Sequence, residues 1–168
     1  MYLLESSEDK TVRKIIYYLS NYQWKYQYSI FVDVYNLELD EAKAVVKEWL
    51  LSFDDSKFRE YLRKKNKNTG MMYVIRKTTH KNHSSGKRFQ QYYITIFASD
   101  AIDGIDNVSN YGDCIYKVID RKITDTKIET TCNALKTQQL HDISSLGSKK
   151  RYTVINKSKL ITKAQASS

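Results

Sequence analysis

Proline is absent from these 168 residues, glycine occurs five times and cysteine twice. Without proline there are no built-in helix stops and no rigid polyproline segments, so turns must come from Gly, Asn, Asp and Ser clusters. The two cysteines, Cys114 and Cys132, lie far apart and neither has a CxxC partner. That spacing indicates neither a zinc site nor a disulfide framework, and both read as buried or half-buried thiols in a reducing compartment. No apolar run approaches the length that crosses a bilayer, and the start, Met1-Tyr2-Leu3-Leu4-Glu5-Ser6, turns acidic before a signal-peptide core could form. A soluble, cytoplasmic protein with no membrane partner is expected. No repeat or low-complexity segment is present.

Acidic residues are also scarce: 19 Asp and Glu stand against 28 Lys and Arg, a formal net charge of +9. With 41% hydrophobic residues and fourteen tyrosines the chain can bury a real core and is not disordered. The length suits one domain, expected over residues 1–163, with residues 164–168 as a frayed, disordered tail. The positive surplus is local. Residues 57–91 hold eleven Lys and Arg against the single acid Glu60, a net +10, including Arg63, Lys64, Lys65, Lys67, Lys77, Lys87 and Arg88. From Gly147 onward Lys149, Lys150, Arg151, Lys157, Lys159 and Lys163 meet no acid. Such runs are either solubilising surface or phosphate contacts; two separate runs with almost no compensating acid favour phosphate.

Along the chain, Val12, Ile15, Ile16 and Leu19 predict a helix over residues 7–23. Residues 26–35 alternate Tyr26, Tyr28, Ile30, Val32, Val34 with Gln27, Ser29, Phe31, Asp33, Tyr35, the period of a strand. Leu39, Ala42, Val46, Trp49, Leu50 and Phe53, then Phe58, Tyr61 and Leu62, predict one kinked helix or two short ones, ending in a basic turn at 66–70. Residues 71–79 and 89–99 read as a hairpin around the turn chemistry of residues 82–86. Residues 111–122 are expected as a helix through Cys114, Ile115, Val118 and Ile119, and residues 126–135 as a strand.

The resulting order, strand-helix-strand-strand-helix-strand, gives an α+β fold of ferredoxin-like (βαββαβ) type: an antiparallel sheet with helices on one face, an extra N-terminal helix and a basic C-terminal extension. The other sheet face would be open and would carry Phe31, Asp33 and Tyr35, then Gln91, Tyr93, Thr95 and Phe97, joined by Tyr73, Ile75 and Lys77. Aromatic rings beside basic groups on an open sheet suit single-stranded nucleic acid, whose bases stack and whose phosphates need charge. The alternative arrangement places these aromatics under the C-terminal segment.

Catalytic chemistry is thinly represented. His80 and His83, three apart in the expected hairpin loop, have no third ligand, and His141 stands alone, so no metal and no cofactor are expected. No Gly-rich phosphate loop, GxSxG or acid pair beside a histidine occurs. If the protein were a nickase, Tyr152 in Lys150-Arg151-Tyr152 would be the nucleophile, although a tyrosine in a basic tail is more often a stacking or packing residue.

Several short stretches carry a resemblance: Asp9-Lys10-Thr11-Val12-Arg13-Lys14, Phe31-Val32-Asp33-Val34, Tyr73-Val74-Ile75-Arg76-Lys77, Gln91-Tyr92-Tyr93-Ile94-Thr95-Ile96-Phe97 and Lys150-Arg151-Tyr152-Thr153-Val154. In these the chain resembles the HUH-type replication initiators of filamentous phages and their prophage relatives (the YagK/YfjJ type). The resemblance implies a ferredoxin-like fold, a single-stranded DNA partner and an origin in a phage or other mobile element. That family nicks DNA with a tyrosine and a divalent metal, held by two histidines flanking a hydrophobe and by an acid on the neighbouring strand. Here those positions read Gln91, Tyr93 and Lys77. An amide and a phenol supply metal-ligand lone pairs poorly and an ammonium opposes the ion, so the metal site is dismantled.

The leading expectation is therefore a non-enzymatic protein that binds single-stranded DNA or RNA. Its site would comprise Phe31, Tyr35, Arg63, Lys64, Lys65, Lys67, Tyr73, Lys77, Lys87, Arg88, Gln91, Tyr93, Phe97, Lys149, Lys150, Arg151 and Tyr152, with no catalytic residue. The first alternative is an inhibitor of a host nucleoprotein defence complex, docking on guide RNA or in a DNA channel. The second is a DNA-nicking replication initiator with a displaced metal site.

Overall fold

Helix α1 (Ser7–Asn21) turns Val12, Ile15 and Leu19 inward, one face of a 3.6-residue period, and all three are buried. The computed structural model that shows this describes residues 7–32, 37–52, 55–81, 86–105, 116–122, 125–137 and 152–166. Strand β1 (Tyr26–Val32) follows, then helices α2 (Leu39–Ser52) and α3 (Asp55–Lys65), the second of the two alternatives expected for this stretch. Strands β2 (Met71–Lys81) and β3 (Arg88–Ala98) pair along their whole length from Met71↔Ala98 to Lys81↔Arg88. Strand β4 (Tyr116–Lys122), helix α4 (Asp125–Thr137), strand β5 (Tyr152–Ile155), a 3₁₀ turn at Lys157–Lys159 and the one-turn helix α5 (Lys163–Ala166) complete the order.

All five strands form one antiparallel sheet in the order β4-β1-β3-β2-β5. The chain is thus α+β. Two elements exchange their expected types. Residues 116–122 are a strand rather than a helix: they pair with β1 from Tyr26↔Lys122 to Val32↔Tyr116, a ladder that outweighs the local three-and-four spacing of Val118 and Ile119. Residues 125–137 are a helix rather than a strand, because Ile128 and Cys132, four apart, bury together. The Thr131 hydroxyl donates to the Lys127 carbonyl one turn back at 3.0 Å.

Helices cover both sheet faces, not one. On the first face Tyr28, Ile30, Met71, Tyr73, Ile94, Ile96, Ala98 and Ile155 pack under Ala42 of α2, Phe58 and Leu62 of α3, and Ile102 and Ile105 beyond β3. On the second, Met72, Val74 and Phe97 pack under Val12, Ile15 and Leu19 of α1 and Ile128 and Cys132 of α4, with Trp24 and Leu160 closing the layer. The face expected to be open is a second core at this end of the sheet. Its cover is α1 and α4, joined at the edge by Leu160 and half-buried Tyr152 and Val154 of the C-terminal segment.

Residues 163–166 form the helix α5 where a frayed tail was expected from residue 164. The backbone N–H of Thr162 donates to Gln165 Oε1 at 2.9 Å and the Gln165 N–H donates to Thr162 Oγ1 at 3.1 Å, a reciprocal capping box at the start of α5. Residues 22 and 162 form a further antiparallel bridge, and Gln23 N–H donates to the Ile161 carbonyl at 2.7 Å.

Asn66 ties three segments together. Its Nδ2 donates to the carbonyls of Leu62 (3.2 Å) and Asp103 (3.1 Å), its Oδ1 accepts from the Asp103 N–H (2.7 Å), and its own carbonyl accepts from Asn156 Nδ2 (2.7 Å). Two stability predictions follow from this packing. Phe97→Ala, in the second core, lowers unfolding free energy by about 3–5 kcal/mol, whereas an aromatic on an open face costs little when truncated. Asn66→Ala strips the Asp103 N–H of its acceptor and costs about 1–3 kcal/mol. Urea denaturation reads both, as a fall in midpoint at unchanged slope.

Candidate nucleic-acid interface

The basic window of residues 57–91 is divided by the sheet. Its first half, Arg63, Lys64, Lys65 and Lys67, is exposed at the C-terminal end of α3 and in the turn leading to Met71. Lys87 and Arg88 are exposed at the opposite end of the β2–β3 hairpin, where Arg88 pairs with Lys81. Ten strand residues separate the two ends, roughly 33 Å at 3.3 Å per residue, so they do not form one cluster. Charge also differs in quality along α3. Glu60 accepts from Arg63 Nε at 3.0 Å and from Arg63 Nη2, and lies 3.8 Å from Lys64. The Arg63 hydrogen bond holds the Glu60 carboxyl below its usual range, and the same bond raises Arg63. Lys65 and Lys67 have no ion-pair partner among the described residues.

What the sequence kept apart, the fold joins at the α3 end. Asn156, in the left-handed conformation at φ 54°, donates from Nδ2 to the Asn66 and Thr69 carbonyls at 2.7 and 3.1 Å. Asn tolerates this conformation through local polar bonds better than most residues do. The bond pair seats the 3₁₀ turn of Lys157–Lys159 against the turn of residues 66–69. Gly70 permits the approach, since a Cβ there would stand 2.8 Å from the Leu160 backbone nitrogen. Exposed Lys157 and Lys159 therefore share a corner with exposed Lys67 and the basic end of α3.

Beside this corner lies an aromatic group that the sequence reading passed over. Tyr18 of α1 and Tyr22 just beyond it stack at 5.6 Å and 18°, Tyr17 meets Tyr18 edge-on at 5.7 Å, and Tyr152 packs on Tyr18 at 6.0 Å. Trp24 donates from Nε1 to the Tyr18 carbonyl at 3.1 Å and fixes the end of the helix. Lys157 Nζ stands 5.9 Å from the Tyr18 ring centre, a cation–π distance. A hydrogen bond to the Tyr18 hydroxyl, with Tyr22 and Tyr17 adding, holds the Lys157 ammonium above its ordinary value, so it is fully charged at neutral pH. The signal in the sequence was the pair Tyr17-Tyr18 followed by Tyr22 just past the end of α1.

The expected sheet-face site is not assembled as a unit. Tyr73 is buried on the first face against Phe58, at 5.7 Å between rings, and Phe97 is buried on the second beside Trp24, at 6.2 Å. The two do not share a surface. In the β2–β3 register Tyr93 pairs with Arg76 and Gln91 with Thr78, while Lys77 pairs with Tyr92. Position 77 is thus one residue out of line with 91 and 93, and a one-residue offset changes the sheet face. Phe31 does pair with Tyr93. The side chains of Phe31, Lys77, Gln91 and Tyr93 lie outside what is described, as do Tyr35, Lys149, Lys150 and Arg151 entirely.

Tyr152 begins β5 and is half-buried. Burial pushes its phenol above the ordinary tyrosine value, with Tyr18 adding and Lys157 opposing. Its ring packs against the Tyr18 ring at the edge of the second core. Among the described residues no three His, Cys, Asp or Glu side chains gather as metal ligands, and no helix is long and apolar enough to cross a membrane.

No family model matches this chain, and no curated protein does. Among solved structures it is similar to the crystal structure of the hypothetical protein ORF119 from Sulfolobus islandicus rod-shaped virus 1, at 16% identity and a TM-score of 0.38, with 80% of this chain and 97% of that chain covered.

Proposed function

We propose that this chain is a non-enzymatic nucleic-acid-binding protein whose contact surface is the corner between α3 and the turn after β5. One observation carries the reading: Asn156 clasps residues 66–69, so basic residues about ninety positions apart, Arg63, Lys64, Lys65 and Lys67 on one side and Lys157 and Lys159 on the other, stand on a single exposed edge. A solvent-exposed cluster of like charge is self-repulsive, and a phosphate chain relieves that repulsion while releasing its own counterions. The spatial order β4-β1-β3-β2 with every neighbour antiparallel supports a finer fold reading, a ferredoxin-like sheet extended by β5 and covered on its second face by α1 and α4.

The reading is tested by fluorescence anisotropy with a labelled oligonucleotide over a salt series. Affinity falls as salt rises, and Lys65→Gln with Lys67→Gln flattens the slope of log K against log salt by about 0.7 per lost phosphate contact on a single strand, or about 0.9 on a duplex. Wild-type affinity that is the same at low and high salt overturns it.

A further inference from the structure

We infer that the solvent face of α1 is a stacking platform for the unpaired bases of a single-stranded nucleic acid, with Tyr17 as the ring that meets the base. This inference rests on the nucleic-acid reading above and assigns it a strand type. Helical spacing puts Lys10, Lys14, Tyr17 and Asn21 on one stripe, at intervals of four, three and four, opposite the buried Val12, Ile15 and Leu19. All four stripe residues are exposed, and Tyr17 is 56% exposed, an unusual setting for so large a ring at the edge of an aromatic cluster.

The cluster behind it is already ordered. Tyr18 is held between Tyr22 and Tyr152, and its backbone carbonyl by Trp24. Tyr17 stands at 81° to Tyr18, so their contact is edge to face and leaves a face of the Tyr17 ring for another π system. Asn21 Nδ2 donates to the Tyr17 carbonyl at 2.8 Å and secures the last turn of the helix beneath the ring. Charge complementarity selects the occupant. Lys10 and Lys14 lie two turns and one turn before Tyr17, and Lys157 stands over Tyr18 on the other flank, bridging the platform to the corner at residues 66–69. A ring with ammonium groups on both sides matches the alternation of base and phosphate. In a duplex the base faces are already stacked, so only a single strand can use the ring.

The test is anisotropy with the full chain and labelled oligo(dT), oligo(rU) and a mixed-sequence duplex of the same length. Tyr17→Ala and Tyr17→Leu each weaken single-strand binding by roughly 5- to 150-fold, the effect of losing one stacked base, without changing the salt slope or the duplex affinity. Tyr17→Leu separates stacking from mere apolar contact, and the exposure of Tyr17 keeps both variants folded, checked by unchanged urea midpoints. Better binding of oligo(dT) assigns the platform to DNA, of oligo(rU) to RNA. Single-strand affinity unmoved in both Tyr17 variants, while the Lys65/Lys67 variant still loses salt dependence, overturns the platform and leaves the basic corner standing. Absence of binding to all three probes by the wild-type chain overturns both.

Discussion

The constraint on which everything else depends is that the central strands are covered twice. Ile94, Thr95, Ile96, Phe97 and Ala98 of β3 are all buried, the odd positions toward α1 and α4 and the even ones toward α2 and α3. Residues 71–74 of β2 are enclosed in the same way. Two-sided burial turns the strand from an alternating pattern into a continuous requirement for close packing, and it admits one polar exception, Thr95, whose hydroxyl has no hydrogen-bond partner among the described residues. Sheet that is core cannot also be a binding surface. At this end of the molecule, the exposed surface belongs to helix faces and the turns between elements.

Asn66 and Asn156 make such a surface out of distant sequence. A backbone turn carrying charge has no reason to hold one geometry, since its groups repel and water solvates each separately. Here the amides of two asparagines bond the backbone at Leu62, Thr69 and Asp103, so the positions of Lys67 and Lys157 are fixed by uncharged hydrogen bonds rather than by ion pairs. That division of labour leaves the Lys67 and Lys157 side chains exposed. Where a carboxylate is present, at Glu60, it serves Arg63 and Lys64, and an exposed pair of this kind contributes little stability while tempering the local field.

Much of the first hundred residues was legible because local period and tertiary environment agree there. Val12, Ile15 and Leu19 have one face to bury, and Tyr26, Tyr28 and Ile30 alternate on a strand whose partners bury the same side. Legibility ended where a segment's type depends on what it docks against. Val118 and Ile119 satisfy both a short helical pattern and a strand, and the open edge of β1 decides for the strand. Ile128 and Cys132 show a helix only once the core under α1 exists to receive them. The face of Phe97 was misjudged for the same reason: alternation shows that a strand has two faces, and only the placement of α1 shows that the second is covered.

The candidate site followed the same rule. The charge of residues 63–67 was visible as composition, but the hairpin carries Lys87 and Arg88 away from it and the fold substitutes Lys157 and Lys159, which the sequence placed in a separate run. Tyr17, Tyr18 and Tyr22 looked like ordinary helix residues because each is amphipathic and any one of them could sit at a core boundary. Their meaning comes from Tyr152 and Lys157 arriving beside them from the other end of the chain. Tyr18 is the pivot of that arrangement. Its ring receives Tyr22, Tyr152 and Lys157 at once, so a substitution there disturbs packing and charge together, whereas Tyr17, one residue earlier and on the solvent side, adds surface to the cluster without supporting it.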